Sequence, residues 1–144
     1  MILCLETSSL VKLYVREEDS EAVKKAVGAA DAVAVSILAY AEARDAFARK
    51  RREQGISEAA HTAIKEALSG DWPHYFVLNL ADRTVKAAGD LSEKHSLRGF
   101  DALHLASAID LRSSGAPSVH FLTADSRLGE AARLEGFEIG SPSD

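Results

Sequence analysis

Four acidic residues of this sequence stand where carboxylates can act together in chemistry. Glu6 and Asp125 come just after short apolar runs of strand type, whereas Glu42 and Asp101 lie inside helical patterns that are otherwise apolar. In a parallel α/β sheet, the carboxyl ends of the strands meet at one crevice. Four carboxylates gathered there would repel each other at neutral pH unless a divalent cation neutralised them. The pattern therefore predicts metal chemistry.

Each of these acids also has a purely structural interpretation. Glu6 fits an exposed strand end, and Asp125 fits a helix N-cap. Asp101 opens the segment 100–109, which is apolar on nearly every side of a helix and is therefore predicted to be buried. The helix dipole stabilises such an acid by about 0.3–1 kcal/mol, which is small beside the cost of burying an unpaired charge. A metal or another charged partner would offset that cost.

Length and composition restrict the class of protein. A chain of 144 residues is predicted to form one domain, residues 1–144, with a sizeable core. Hydrophobic residues at 47% and charged residues at 27% are typical of a globular protein rather than a disordered one. The net charge of -5 argues against a domain that binds nucleic acid by being basic overall, but not against an enzyme with local basic residues.

The N-terminal region and the single cysteine predict a cytoplasmic protein. Cys4 lies in the first apolar run, so it has no intrachain disulfide partner and is predicted to be a small buried hydrophobe in a reducing compartment. Apolar stretches fall far short of the roughly 20 residues that span a bilayer. Glu6 interrupts the first run, and no basic region precedes it, so a signal peptide is not expected.

Strand and helix patterns alternate along the whole chain. Strands are predicted at 2–5, 32–35, 75–78, 118–122 and 137–139. Helices are predicted near 7–14, 20–27, 37–54, 57–68, 82–91 and 100–111, and from 125 or 126 onward. Thr7 or Ser8 is the predicted N-cap of the first helix, Ser36 that of the long one and Asp82 that of the fifth. This alternation predicts an α/β fold with a parallel sheet and helices on both faces.

Four segments carry the most specific sequence signals. They span residues 5–14, 39–42, 98–106 and 122–128, and their most specific parts are Asp-Ala-Leu-His-Leu-Ala from position 101 and Thr-Ala-Asp-x-x-Leu from position 123. In this order they resemble the PIN-domain family, particularly the VapC-type toxins of toxin-antitoxin pairs. The resemblance covers the whole chain.

The resemblance implies a single PIN-like domain with central strand order 3-2-1-4-5 and an Mg²⁺- or Mn²⁺-dependent endoribonuclease activity. The catalytic, metal-binding acids would be Glu6, Glu42, Asp101 and Asp125. The family has Asp where this chain has Glu6. The extra methylene moves the carboxylate by about one carbon–carbon bond, whereas Mg²⁺ demands near-ideal octahedral geometry at roughly 2.0–2.1 Å. Weakened or lost activity is therefore an open alternative.

Hydroxyls and cations near the acids are further candidates. Three short hydroxyls could orient water or phosphate: Thr7, Ser9 and Thr123. Four cations are candidate RNA-binding residues: Lys12, Arg44, Arg98 and Arg127. The basic run 49–52 is more often a solvated helix end that complements the dipole than a phosphate site. His104 is predicted to be a packed, hydrogen-bonded core residue rather than a general base.

The partners expected from the resemblance are an RNA substrate and an antitoxin protein that inserts a segment into the active cleft. We also expect a homodimer, because the resembling toxins are commonly dimers and because the apolar, alanine-rich helices offer more hydrophobic surface than one thin sheet covers. No membrane partner is expected.

Two other functions remain open at this point. The first is a catalytically weakened PIN-like domain that binds RNA or protein, and its motivation is Glu6. The second is a phosphoacceptor or phosphatase domain, which would need a nucleophilic Asp at a strand end and a nearby Lys, but the first strand ends in Glu6 and no Asp-x-Asp follows. The sequence also lacks a Gly-x-Ser-x-Gly elbow, a Walker loop and a dinucleotide fingerprint.

Overall fold

The computed structural model describes residues 1–139, which form an α/β fold around one five-stranded sheet. The strands are β1 (Ile2–Leu5), β2 (Ala32–Ser36), β3 (Phe76–Leu78), β4 (Val119–Leu122) and β5 (Glu138–Ile139). Every pairing is parallel, and the order across the sheet is β3-β2-β1-β4-β5. The predicted fold class and strand order are confirmed.

Seven α-helices connect the strands. They are α1 (Thr7–Val11), α2 (Ser20–Ala29), α3 (Leu38–Gln54), α4 (Glu58–Asp71), α5 (Asp82–His95), α6 (Gly99–Ser113) and α7 (Ser126–Leu134). A single 3₁₀ turn, Trp72–His74, follows α4. None of the helices within residues 1–139 combines the length and the apolar character that crossing a bilayer requires.

Alternation of side chains along the strands divides the core into two hydrophobic layers. Leu3 and Leu5 of β1 pack with α1, α2, α3 and α4 on one face, where Phe47 is fully buried. Cys4 packs with α5, α6 and α7 on the other face. Burial raises the pKa of the Cys4 thiol to about 12, so this residue behaves as the small buried hydrophobe that was predicted. Both faces of the sheet are thus covered by helices.

The helix ends differ from the sequence prediction in four places. The N-cap of α1 is Glu6 rather than Thr7 or Ser8, because the Glu6 carboxylate accepts the Ser8 backbone N–H at 3.1 Å. Ser36 is two residues before α3, although its hydroxyl accepts the Leu38 N–H at 3.3 Å. Asp82 is the first residue of α5 rather than its cap. The helix predicted near 57–68 is longer in the structure, because α4 continues to position 71 before the 3₁₀ turn.

The topology fixes the edge at which a site can form. From β1 the sheet grows toward β2 and β3 on one side and toward β4 and β5 on the other. Connections on the two sides cover opposite faces, so a crevice opens at the carboxyl end of β1, beside β4. The backbone N–H of Glu6, donating to the Leu122 carbonyl at 3.0 Å, ties the two strand ends together. Because α6 leads to the amino end of β4, its own N-terminus lies at this carboxyl edge.

Candidate functional site

Glu6 turns its side chain back over the start of α1. Its Oε2 atom accepts the Ser8 N–H at 3.1 Å, the Ser8 hydroxyl, and the Thr123 hydroxyl at 2.8 Å. The residue is 7% exposed. The structural interpretation of Glu6 as an exposed residue at a strand end is therefore wrong. All of these bonds fall on Oε2, and no hydrogen bond from the described residues reaches Oε1. One oxygen is anchored while the other keeps its lone pairs.

Glu42 lies on the second turn of α3, directly beyond β2. Its Oε1 atom accepts the Thr7 hydroxyl at 2.7 Å and lies 2.5 Å from Nε2 of His104. Burial raises the pKa of the Glu42 carboxyl, but the hydrogen bond and charge of His104 and the hydrogen bond from Thr7 outweigh it, so the pKa lies below its usual value. The side chain is therefore ionised at neutral pH.

Asp101 lies in the first turn of α6, and its side chain is 18% exposed. The helix is buried as predicted, with Ala102 and Leu105 in the core, whereas Asp101 itself lies at the rim. Its Oδ2 pairs with Nε of Arg98 at 3.2 Å, and the Arg98 side chain is 84% exposed. An exposed pair of this kind contributes about 0–1 kcal/mol, so an incoming cation can displace Arg98 at little cost.

Asp125 is the N-cap of α7, as the structural interpretation anticipated. Its Oδ1 accepts the Leu128 N–H at 3.0 Å, and its own N–H donates to the Thr123 hydroxyl at 3.1 Å. Thr123 thus connects the Asp125 backbone to the Glu6 carboxylate. Capping does not consume the second carboxylate oxygen, which no hydrogen bond within residues 1–139 engages.

Three of the four predicted acids share one cleft. A cavity of about 520 Å³ is lined by Glu6, Glu42 and Asp101 together with Thr7 and the outer half of α3. Asp125 lies instead on an adjoining cavity of about 240 Å³, whose lining includes Asp101. Arg98 and Asp101 line both cavities and form the wall between them. Glu42 and Asp101 are therefore on the same side of the molecule.

The donor set of this cleft fits a hard divalent cation by its chemistry. Carboxylate oxygens are the ligands that Mg²⁺ and Mn²⁺ prefer, and Glu6 and Glu42 each keep one oxygen without a hydrogen bond from the described residues. As the side chains stand, no three Asp, Glu, His or Cys residues in the described chain are grouped closely enough to hold an ion. Oδ2 of Asp101 lies 3.2 Å from Nε of Arg98, so an ion in the cleft would compete with the guanidinium for this carboxylate.

The predicted hydroxyls have different positions. Thr7 lines the cleft and donates to Glu42, whereas Thr123 is 6% exposed and donates to Glu6. Both therefore orient carboxylates. Ser9 is fully buried and does not line the cleft, and its hydroxyl has no hydrogen-bond partner among the described residues. The expectation that Ser9 touches water or phosphate in the cleft is wrong, because α1 turns this side chain into the core.

The predicted cations also separate into two groups. Lys12, Arg98 and Arg127 line the two cavities, and Lys12 donates to the Glu18 carbonyl at 2.7 Å. Arg44 lies outside both cavities and donates instead to the Tyr40 hydroxyl at 3.0 Å. Its predicted place beside the acids is not observed, because Arg44 and Tyr40 contact each other on a face of α3 that lies outside both cavities.

Acidic and basic side chains from the C-terminal half of α3 line the outer part of the cleft. Arg49 and Lys50 line the cleft, where Arg49 pairs with Asp45 at 3.0 Å and Lys50 pairs with Glu17 at 3.4 Å. Two residues of the basic run 49–52 therefore line the cleft, a position that the sequence did not predict. Asp45 was also missed, although its spacing of three residues from Glu42 on a helix is a usable signal.

Comparisons with known proteins agree with this geometry. The family model described as "PIN domain" matches residues 3–134. Two curated proteins of Mycobacterium tuberculosis are similar over most of their length. "Ribonuclease VapC49" is 30% identical over 96% of this chain and 94% of its own. "Ribonuclease VapC46" is 33% identical over 96% of this chain and 96% of its own.

A solved structure described as "Toxin-antitoxin complex from Klebsiella pneumoniae" has the same fold, with a TM-score of 0.67, 15% identity and 97% of each chain covered. The family match covers the cleft and every acid that lines it. Taken with the parallel sheet and the acids at its carboxyl edge, these likenesses establish that the chain belongs to the PIN-domain family.

Proposed function

We propose that this protein is a metal-dependent endoribonuclease that cleaves RNA phosphodiester bonds and serves as the toxin of a toxin-antitoxin pair. The observation that carries the proposal is the cleft in which Glu6, Glu42 and Asp101 meet at the carboxyl edge of the sheet. The names of the ribonucleases to which the chain is 30% and 33% identical support the RNA substrate.

In this proposal the acids hold a divalent cation, Mg²⁺ or Mn²⁺. Glu6, Glu42 and Asp101 supply ligand oxygens from the cleft, and Asp125 completes the set from the adjoining cavity. The chemistry that such a cation supplies is polarisation of the scissile phosphate and a lower pKa for the attacking water. The contribution of this chain is to fix the positions of the carboxylates through Thr7, His104, Ser8 and Thr123.

RNA must approach an acidic centre in a protein of net charge -5, so local cations have to receive its phosphates. Lys12, Arg98 and Arg127 line the two cavities and take this role in the proposal. Arg98 has a second function, because it releases Asp101 when it turns to a phosphate. Arginine suits such an exchange, since its guanidinium binds carboxylate and phosphate oxygens in the same fork geometry.

An antitoxin protein is the proposed partner, and the cytoplasm is the proposed location. The toxin–antitoxin assembly named for the Klebsiella pneumoniae structure of the same fold supports the partner. The location rests on the single buried thiol of Cys4, which suits a reducing compartment.

The alternative function is a catalytically weakened PIN-like domain that binds RNA or protein. Its motivation is Glu6, whose Oε2 is engaged by Ser8 and Thr123. The uncommitted Oε1 argues for the active form, because the longer side chain can cap α1 with one oxygen and still offer the other to a cation. The active enzyme is therefore the function we favour.

Replacement of Asp101 tests the proposed activity. Asp101→Asn keeps the shape of the side chain but removes a charged ligand, so RNA cleavage in Mg²⁺ or Mn²⁺ should fall to background while the fold is retained. Asp90→Asn, at an exposed position of α5, is the matched control and should cleave as the wild type does. Gel assays of RNA cleavage with and without EDTA, beside thermal melts, provide the measurement. Unchanged turnover in Asp101→Asn would end the assignment.

Replacement of Glu6 distinguishes the active enzyme from the weakened domain. If Oε1 of Glu6 serves as a ligand, wild type cleaves RNA, Glu6→Asp cleaves at least as fast, and Glu6→Gln loses activity because an amide is a poorer ligand for a hard cation. The same cleavage assay, run over a range of Mn²⁺ concentrations, measures this. An inactive wild type beside an active Glu6→Asp variant would show instead that the chain is the weakened form.

Self-association is the third expectation. Ile37, Phe76, Val85, Phe100 and Leu134 are each at least 44% exposed. Large apolar side chains of this kind lose contact with water when two copies pack together. Light scattering coupled to gel filtration should give the mass of a homodimer, twice 15.4 kDa. A strict monomer at high micromolar concentration would refute it.

A further inference from the structure

We propose that Thr7 and His104 are positioning residues that hold Oε1 of Glu42 and thereby dedicate Oε2 to the cation, so that Glu42 binds metal through a single oxygen. The inference rests on the proposed function and deepens it. It assigns roles to two side chains that are not ligands themselves. We call the arrangement of Thr7, His104 and Glu42 the Glu42 clasp.

Three helices meet at the clasp. Thr7 opens α1, Glu42 belongs to α3, and His104 belongs to α6. The Thr7 hydroxyl is 2.7 Å from Oε1 of Glu42, and Nε2 of His104 is 2.5 Å from the same atom. Thr7 and His104 are 8% and 3% exposed. Packing thus holds both donors in place, and competition from water is small.

The carboxylate of Glu42 determines which atom donates in each hydrogen bond of the Glu42 clasp. An ionised carboxylate only accepts hydrogen bonds, so Nε2 of His104 must carry a proton and the Thr7 hydroxyl must donate. Thr7 lies 3.3 Å from Nε2 of His104, farther than from Glu42, which leaves Oε1 as its acceptor. Both donors therefore converge on one oxygen. Within residues 1–139, no hydrogen bond falls on Oε2.

In Glu6, as in Glu42, the hydrogen bonds fall on only one of the two carboxylate oxygens. Ser8 and Thr123 donate to its Oε2, and Oε1 receives no hydrogen bond from the described residues. Two carboxylates that line one cleft are thus each anchored by one oxygen. A cation that takes one oxygen from each side chain leaves positions for other ligands, as octahedral Mg²⁺ and Mn²⁺ require.

His104 has a further property that packing alone does not explain. It is 3% exposed on a helix whose buried neighbours are largely Ala and Leu. A buried polar ring is costly unless it is hydrogen-bonded, and among the described residues its side-chain partners are Glu42 and Thr7. The competing interpretation is a fold-stabilising contact that leaves metal affinity unaffected.

Calorimetric titration with Mn²⁺ separates the two interpretations. Thr7→Val keeps the side-chain volume but removes the donor, and we expect the Kd for Mn²⁺ to rise by about 10- to 100-fold, as is common when a group that orients a ligand is lost. Thr7→Ser restores the donor and should restore the affinity. Thr62→Val, at an exposed position of α4, is the matched control and should bind as the wild type does.

His104 is tested in the same titration. His104→Phe retains a ring without a donor and should weaken Mn²⁺ binding as Thr7→Val does, whereas His104→Gln can present an N–H near the position of Nε2 and should recover affinity. Circular dichroism melts report on folding. If His104→Phe does not fold, Thr7→Val decides the question alone.

The outcomes distinguish the clasp from the proposed function. A wild type that binds Mn²⁺ and cleaves RNA, beside a Thr7→Val variant with the same Kd, refutes the clasp and leaves the enzyme assignment intact. A lower melting temperature with an unchanged Kd also refutes the clasp, because it identifies a structural contact. A wild type that neither binds Mn²⁺ nor cleaves RNA refutes both.

Discussion

The convergence of acidic residues at the carboxyl edge of one parallel sheet is the constraint on which this site depends. The sheet brings Glu6, Glu42 and Asp101 to one cleft, where a partly buried carboxylate needs hydrogen-bond donors or a positive charge beside it to stay ionised. Neutral hydroxyls and His104 stabilise Glu6 and Glu42, and Arg98 stabilises Asp101. Each of these acids thus has a hydrogen-bond or ion-pair partner of its own. An ion bound by all three would have to compete with Arg98 for Asp101.

The helices that carry the acids differ in how firmly they hold them. Glu6 and Glu42 are fixed by donors that are themselves buried, which suits atoms whose position must be accurate. Asp101 is restrained by Arg98, a side chain that is 84% exposed. This difference makes Asp101 the adjustable member of the set. In the proposed function it would also connect substrate binding to metal binding, because a phosphate that attracted Arg98 would free the Asp101 carboxylate.

The sequence predicted the fold well and the site in part, for identifiable reasons. Strand order came from the family resemblance, and strand positions came from apolar runs such as 2–5 and 118–122, which correspond to β1 and β4 in the structure. The burial of α6 was predicted, but the place of Asp101 at its rim was not, because hydrophobic periodicity does not tell which side of an apolar helix faces a cleft. The Glu6 cap and the contact of His104 with Glu42 depend on rotamers and on residues 62 positions apart, which local patterns do not encode.

In the proposed function Glu6, Glu42 and Asp101 bind one divalent cation between them. Anomalous scattering from crystals of the wild-type protein grown with Mn²⁺ tests it most directly. We expect an anomalous peak in the cleft, at roughly 2 Å from one oxygen of each carboxylate, with Arg98 turned away from Asp101. A peak at another place, or a cleft without a peak in which Arg98 still pairs with Asp101 at saturating Mn²⁺, would contradict it.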